Sequence, residues 1–457
     1  MKSISLSDRR TKKLLFTLLV SLVLMVLSGC DALDSIDSIL GLPIMQSAAA
    51  TTPTPMAALE AEETSTEATP EIEVITATDG DENFELVLWV PPFVGPTDNG
   101  SAAAIFEEHI DAFENNHEGV TVDVRVKAED GPASLMNSLT STSAAAPLAM
   151  PSLILLSRSD LEAAAQKGLI LPVADYSVVI NDLDWFQYAR SMAIIGDSAY
   201  GLPFAGDAMV MLSRTDSYEE GFPESWQEQF ESQTPVYFEA SDPKANLLLT
   251  YYLSLGGVFH DEEEQAILEP EILAQVLQIF QDGLAANTFA AEYLSLDSGA
   301  LLEAYQEGTV NTVITWSSDY LGHNLESTEI HPLLPLTGYD YTVADGWILA
   351  LADPLPERRA LAVELAEFLV EIDFLADWNE AAGYLPMRSS SIELREDSEL
   401  VKTLSLISHS AHSYPDLKTM EKIAPVLTQA LVEVLEQGID AETAAQNAAT
   451  ALEGLEE

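Results

Sequence analysis

Cys30 is the single cysteine in 457 residues. One cysteine builds neither an intramolecular disulfide nor a multi-cysteine metal site. Its surroundings point to another chemistry. Arg9, Arg10, Lys12 and Lys13 give a positive start, Leu14 to Leu27 form an apolar run, and the small residues Ser28 and Gly29 stand just before Cys30. That is the layout of a secretory signal, with an apolar segment too short to span a bilayer comfortably. A second group with chemical potential lies in VADGWILAL (343–351). Asp345 can accept hydroxyl protons, Gly346 permits close backbone approach, and Trp347 offers a flat apolar plane. Enzyme motifs are absent: no Gly-x-Ser-x-Gly elbow, no His-Glu-x-x-His, no Gly-x-x-x-x-Gly-Lys-[Ser/Thr] loop. With 75 acidic residues, chance carboxylate pairs are abundant, so a glycosidase pair carries no information. His409 and His412 are three apart but belong to only seven scattered histidines, and TDGDEN (78–83) lacks the ligand spacing of a calcium loop. No metal or cofactor is expected.

Charge narrows the partners. Removing residues 1–29 takes away Lys2, Arg9, Arg10, Lys12, Lys13 and Asp8, so the −56 of the full chain becomes −60, from 14 basic and 74 acidic residues. Such a surface repels phosphate backbones and anionic headgroups, which excludes nucleic acid as a partner. Cationic ligands stay open. From Ser47 to about Asn83 the chain is rich in Ala, Thr, Pro and Glu without apolar periodicity, a disordered tether by composition. The 54 residues from Cys30 to Phe84 have a root-mean-square span of roughly 40 Å if flexible. No later apolar segment is long enough to cross a bilayer.

Phe84–Glu457 is 374 residues, more than one core usually serves, so two domains are expected. FELVLWV (84–90) and VTVDVRV (120–126) read as strands, and SLILLS (152–157) as a strand buried on both faces. Between the first two, Ile105, Phe106, His109, Ile110 and Phe113 form one helical stripe. Strand, helix, strand, helix, strand implies a parallel-rich sheet with covering helices. Further helical stripes are Leu273, Val276, Leu277, Phe280 and Leu284, then Leu361, Leu365, Phe368 and Ile372, then Ile423, Val426, Ala430 and Val434. Gly438 sits at a helix end and Asp440 can cap a helix over 441 to about 453.

The ending Leu27-Ser28-Gly29-Cys30 resembles the bacterial lipoprotein box, which implies cleavage before Cys30 and acylation of its thiol; two or more acyl chains anchor firmly. The order of SDLEAAAQKGLILPV (159–173), GDSAYGLPFAGDAMVMLSRTD (196–216), PESWQEQF (223–230), YYLSLGG (251–257), AYQEGTVNTVITWSS (304–318), ALAVELAEFLV (360–370) and AAGYLPMRSSS (381–391) resembles one family. It is that of the extracellular solute-binding proteins of family 1, the carbohydrate-associated, maltose-binding-protein-like receptors of ABC importers. The resemblance covers Phe84–Glu457. It implies an α/β, two-lobed periplasmic-binding-protein fold of type II, with ligand between lobes that close about a hinge. Crossings are expected near Pro203–Asp207, Trp316–Ser318 and Ala344–Trp347. Lobe one is then 84–205 plus 317–343, and lobe two 206–316 plus 344–457. A monomer, touching the membrane through its lipid anchor and an ABC permease, is implied.

A sugar offers an apolar ring face and a rim of hydroxyls, so its site needs a flat aromatic with carboxylates or amides around it. The resemblance places Trp89, Phe93, Trp316 and Trp347 where a ring is stacked, and Asp207, Asn246 and Asp319 where hydroxyls are bound; Asp345, beside Trp347, adds a further acceptor. Trp185, Trp226 and Trp378 are expected to pack, and Arg388 to tie down its turn. Ser213 and Arg214 depart from an Asn-Lys pair common in the family. Two other readings stay open: a same-fold receptor for a polyamine-like cation, with aromatics and carboxylates caging an ammonium, and a tethered carbohydrate-active enzyme.

Overall fold

The computed structural model describes residues 83–456, apart from 96–99, 262, 264, 290–295 and 397. The signal-like run, Cys30 and the tether before residue 83 lie outside the described residues. Among the described residues no helix is long and apolar enough to cross a membrane.

The chain opens with β1 (Phe84–Val90), helix Gly100–Asn116, β2 (Val120–Val126), helix Leu135–Ala145 and β3 (Leu153–Ser157). The first helix buries Ala102, Phe106, Ile110 and Phe113, spacings of three and four that face one stripe to the sheet. β1 pairs in parallel with β2, Phe84 opposite Val120, and with β3, Leu88 opposite Leu153. LILLS is apolar throughout because both its faces are covered. Ser157 ends β3 and accepts a hydrogen bond from the Asp160 amide at 3.2 Å, which starts helix Arg158–Gln166.

Helix Gln187–Ala193 and a small hairpin, β4 (Ile194–Ile195) with β5 (Ser198–Ala199), lead into the 14-residue β6 (Gly201–Arg214). Its second half pairs antiparallel with β7 (Thr312–Trp316) and β8 (Thr328–His331); its first half pairs antiparallel with β9 (Thr342–Leu351). β9 also pairs antiparallel with β3 and parallel with β10 (Ala411–Ser413). The strand order is β2-β1-β3-β9-β6-β7. The sheet is therefore mixed rather than parallel-rich. A strand that carries the chain across and another that brings it back must run in opposite directions.

Two apolar clusters form. The first holds β1, β3, the start of β6, the end of β9 and residues of the helices Pro356–Phe368, Ile372–Ala382 and Ser398–Ser410, and it runs along one face of β6 to Val210 and Leu212. The second holds Met209 and Met211 with helices Asn246–Ser254, Pro270–Ala285, Leu417–Leu435 and Ala441–Glu456. Residues 356–410, expected in lobe two, pack in the first cluster. Tyr320, Leu321 and Leu325 touch that cluster as well, whereas Leu333, Leu334 and Val343 belong to the second. The chain crosses along β6, returns along β9 and crosses again at 411–416, which begins with β10. The expected crossing at Trp316–Ser318 is instead the end of β7, which stays paired with β6.

Gly206 and Gly346 face each other where β6 meets β9. A Cβ on Gly346 would lie 2.3 Å from the Met387 methyl and 2.7 Å from the Ala205 carbonyl; one on Gly206 would lie 2.4 Å from the Tyr188 hydroxyl. Bare backbone is required there. It lets Gly206 exchange backbone hydrogen bonds of 2.9 and 2.8 Å with Leu385, which pins the Tyr-Leu-Pro-Met turn to the crossing. At the C-terminal end, Gly438 takes a φ of 67° and Asp440 accepts from the Thr443 amide at 3.0 Å, so the predicted stop and cap both form.

Candidate ligand cleft

Strand alternation builds one wall from three neighbouring strands. Asp207 and Met209 on β6, Ile314 and Trp316 on β7, and Asp345 and Trp347 on β9 are pairs two residues apart, so each pair shares a face. All six border one cavity of ≈ 560 Å³, a size suited to a small organic ligand. Register holds the pattern: Met209 stands opposite Trp316, and Asp207 opposite Asp345. The two tryptophans are half-buried and rest on different cores, Trp347 on the first cluster and Trp316 on the second. The cavity thus lies between the two cores.

Asp207 is locked in place. Its Oδ1 accepts from Ser317 Oγ at 2.6 Å, the Ser318 amide at 3.0 Å and the Ala208 amide at 3.0 Å, and its Oδ2 from Ser318 Oγ at 2.5 Å. Burial pushes its carboxyl up to about 6 against the pull of the two serines, and Asp319 adds to the rise. Asp319 accepts from the Thr315 hydroxyl and is likewise raised by burial. Asp345 takes the Lys244 ammonium on Oδ2 at 3.0 Å and its neighbour's amide, from Gly346, on Oδ1 at 2.9 Å. Burial works against charge on Lys244, but the Asp345, Asp242 and Asp160 carboxylates together outweigh it and raise the pKa.

Asn246 borders the cavity but is buried, and its side-chain oxygen accepts from the Tyr414 hydroxyl at 2.6 Å. Two expected residues stand elsewhere. Trp89 is 3% exposed inside the first cluster, with Lys127 Nζ 4.7 Å above its ring. β1 sits between β2 and β3 and turns that side chain into the core. Phe93 is one layer behind the wall, its ring 5.0 Å from Trp347 and 4.9 Å from Tyr384. It backs the aromatic surface and does not border the cavity. Ser213 and Arg214 also lie away from it: Ser213 pairs with His331 at 2.9 Å, and Arg214 donates to the Glu326 carbonyl at 2.7 Å.

Sequence reasoning missed Tyr384, Glu129, Glu239, Asp242 and Lys244, which all line the cavity. Asp242 accepts from the Lys244 and Asn246 amides, each at 2.9 Å, and so organises the loop before helix Asn246–Ser254. The Asp of FEASDP, four residues before Asn246, is the sequence signal for that loop. Tyr384 sits in the quoted Gly-Tyr-Leu-Pro turn, and Trp378 stacks near it with ring centroids 6.4 Å apart. Among the described residues no group of three or more His, Cys, Asp or Glu could hold a metal ion.

Solved structures share the architecture. The sugar-binding protein MalE from the phytopathogen Xanthomonas citri matches with a TM-score of 0.69 at 16% identity, over 82% of this chain and 98% of that one. A cyclo/maltodextrin-binding protein complexed with maltotetraose matches with a TM-score of 0.66 at 18% identity, over 83% and 98%. UgpB from Mycobacterium tuberculosis, in complex with glycerophosphocholine, gives 0.62 at 13% identity, over 82% and 98%. At these identities the likeness establishes the fold: α/β and two-lobed. No curated protein matches the chain. The family model for bacterial extracellular solute-binding proteins matches residues 108–405, more than half of the sequence. The chain is a member of the bacterial extracellular solute-binding proteins.

Proposed function

We propose that this protein is a lipid-anchored, extracytoplasmic receptor of an ABC importer that binds a sugar or oligosaccharide between its lobes and hands it to the permease. The observation that carries the reading is the pairing of Trp316 and Trp347, held by different cores, with carboxylates on the same strand faces. Aromatic planes take ring faces and carboxylates take hydroxyls. The lobes that would close are 84–205 with most of 348–410 on one side, and most of 207–343 with 417–456 on the other. β6, β9 and the 411–416 segment form the hinge between them. Solute binding at such a hinge needs no chemistry on the solute.

The test is small-angle scattering with maltotetraose as the first probe and product analysis of the same sample. The radius of gyration should fall on saturation and the sugar should be recovered intact. Cleavage products, or an unchanged radius with every solute that binds, would overturn the receptor reading. Anchoring is tested separately. Cys30→Ala should leave an unprocessed or released chain, and a variant that stays in the membrane with the processed mass would remove the anchor.

A further inference from the structure

We infer that the solute carries a positive charge: an oligosaccharide with a free amino group binds here in preference to its neutral counterpart. This rests on the receptor reading above and names the ligand class of the same cleft. Glu129, Asp207, Glu239, Asp242, Asp319 and Asp345 border the cavity, and Lys244 is the one cation among its described lining residues. Carboxylates drawn out of water are costly unless something pairs with them. Asp207 and Asp345 stand opposite each other across β6 and β9. Burial first, and a neighbouring aspartate second, raise both Glu129 and Glu239. A site for a neutral sugar gains by matching its carboxylates with arginine or lysine, which fixes their geometry and cancels their charge. Here one lysine serves six acids.

The cleft already contains an example of what it stabilises. Lys244 Nζ lies 3.0 Å from Asp345 Oδ2 and 5.0 Å above the Tyr414 ring, and its charged form is favoured despite burial. A ligand ammonium meets the same pairing of carboxylate and ring between Trp316, Trp347 and Tyr384, where cation–π attraction adds to the ionic hydrogen bond. Since no three of the described acidic or histidine side chains converge as metal ligands, an organic cation fits better than a metal ion.

Isothermal titration of the detergent-solubilised full chain at pH 7 tests this with a β-1,4-linked glucosamine trisaccharide, its N-acetylated counterpart, spermidine and maltotetraose. The amine trisaccharide should bind about tenfold tighter than the acetylated one or better, the gain of one charge-assisted contact. The advantage should shrink several-fold in added salt. It should also shrink below pH 6, where the amine is fully charged while Asp207 takes up a proton. Glu239→Gln and Glu129→Gln should each cut the preference several-fold without moving the melting temperature. Equal or weaker binding of the amine trisaccharide overturns the inference, and maltotetraose binding in the same series would leave the receptor reading standing. Binding of spermidine and of no saccharide overturns the sugar reading in both while leaving the positive charge standing, and silence from all four probes overturns the inference.

Discussion

Trp347→Ala is expected to weaken solute binding about tenfold to a hundredfold while the protein stays folded. A stack of an aromatic plane on a ring is worth roughly 1–3 kcal/mol by analogy with bases, which converts to that range of affinity. The geometry separates this loss from general damage. Trp347 is half-buried, backed by Phe93 at 5.0 Å, and presents its free face to the cavity beside Asp345. A fully buried tryptophan would cost about 3–5 kcal/mol of stability on truncation. With one face already in water the cost should be less than half of that, a shift of a few degrees in a chain of this size. Measuring the melting temperature without ligand beside the dissociation constant reads both quantities at once. A variant that melts early and binds normally when folded would place Trp347 with the core and leave Trp316 as the stacking residue.

The parts of the fold legible in the sequence were those set by local periodicity. FELVLWV is apolar but for Glu85 and VTVDVRV alternates, and they form β1 and β2 to the residue. Strand direction has no such local mark. VADGWILAL reads alike whichever way it runs, so the antiparallel placing of β9 between β3 and β6 could not be seen. The stripe Leu361, Leu365, Phe368 says that a helix is covered but not by which core, and so residues 356–410 were assigned to the other lobe. The site divides in the same way. Asp207, Trp316, Asp319, Asp345 and Trp347 lie at strand ends or crossings where the resemblance expects contacts, and they converge on one cavity. Trp89 also lies near a strand end, but its side chain is packed into the first cluster. Glu129, Glu239 and Lys244 come from loops far apart in sequence, and only the tertiary fold brings them together.

Arg388→Met should lower stability by about 3 kcal/mol while leaving affinity unchanged in the molecules that remain folded. Arg388 is 5% exposed. Its Nε donates to the Val370 carbonyl at 3.0 Å and its Nη1 to Asp182 Oδ2 at 3.0 Å, and the group lies 3.9 Å over the Trp185 ring. Asp184 Oδ2 is a further 3.7 Å neighbour, and Asp184 Oδ1 accepts from Ser390 at 2.7 Å, so the arginine holds the 182–185 segment to the turn after helix Ile372–Ala382. Methionine keeps much of the stem that packs on Trp185 but strands the Val370 carbonyl and Asp184. Breaking a buried pair costs about 3–5 kcal/mol; the low end applies because Asp182 is half exposed and regains water. The melting temperature should fall by roughly 5–10 °C. The pH dependence gives an independent check. The Asp184 backbone amide first, and Arg388 second, hold the Asp182 carboxyl below its ordinary value. A depressed carboxyl stabilises the fold above its unfolded pKa and loses that contribution as pH falls through the folded one. Arg388→Met should therefore make the acid-side decline in melting temperature shallower. A variant that melts like the wild type but no longer binds solute would take Arg388 out of the scaffold and put it in the ligand's path.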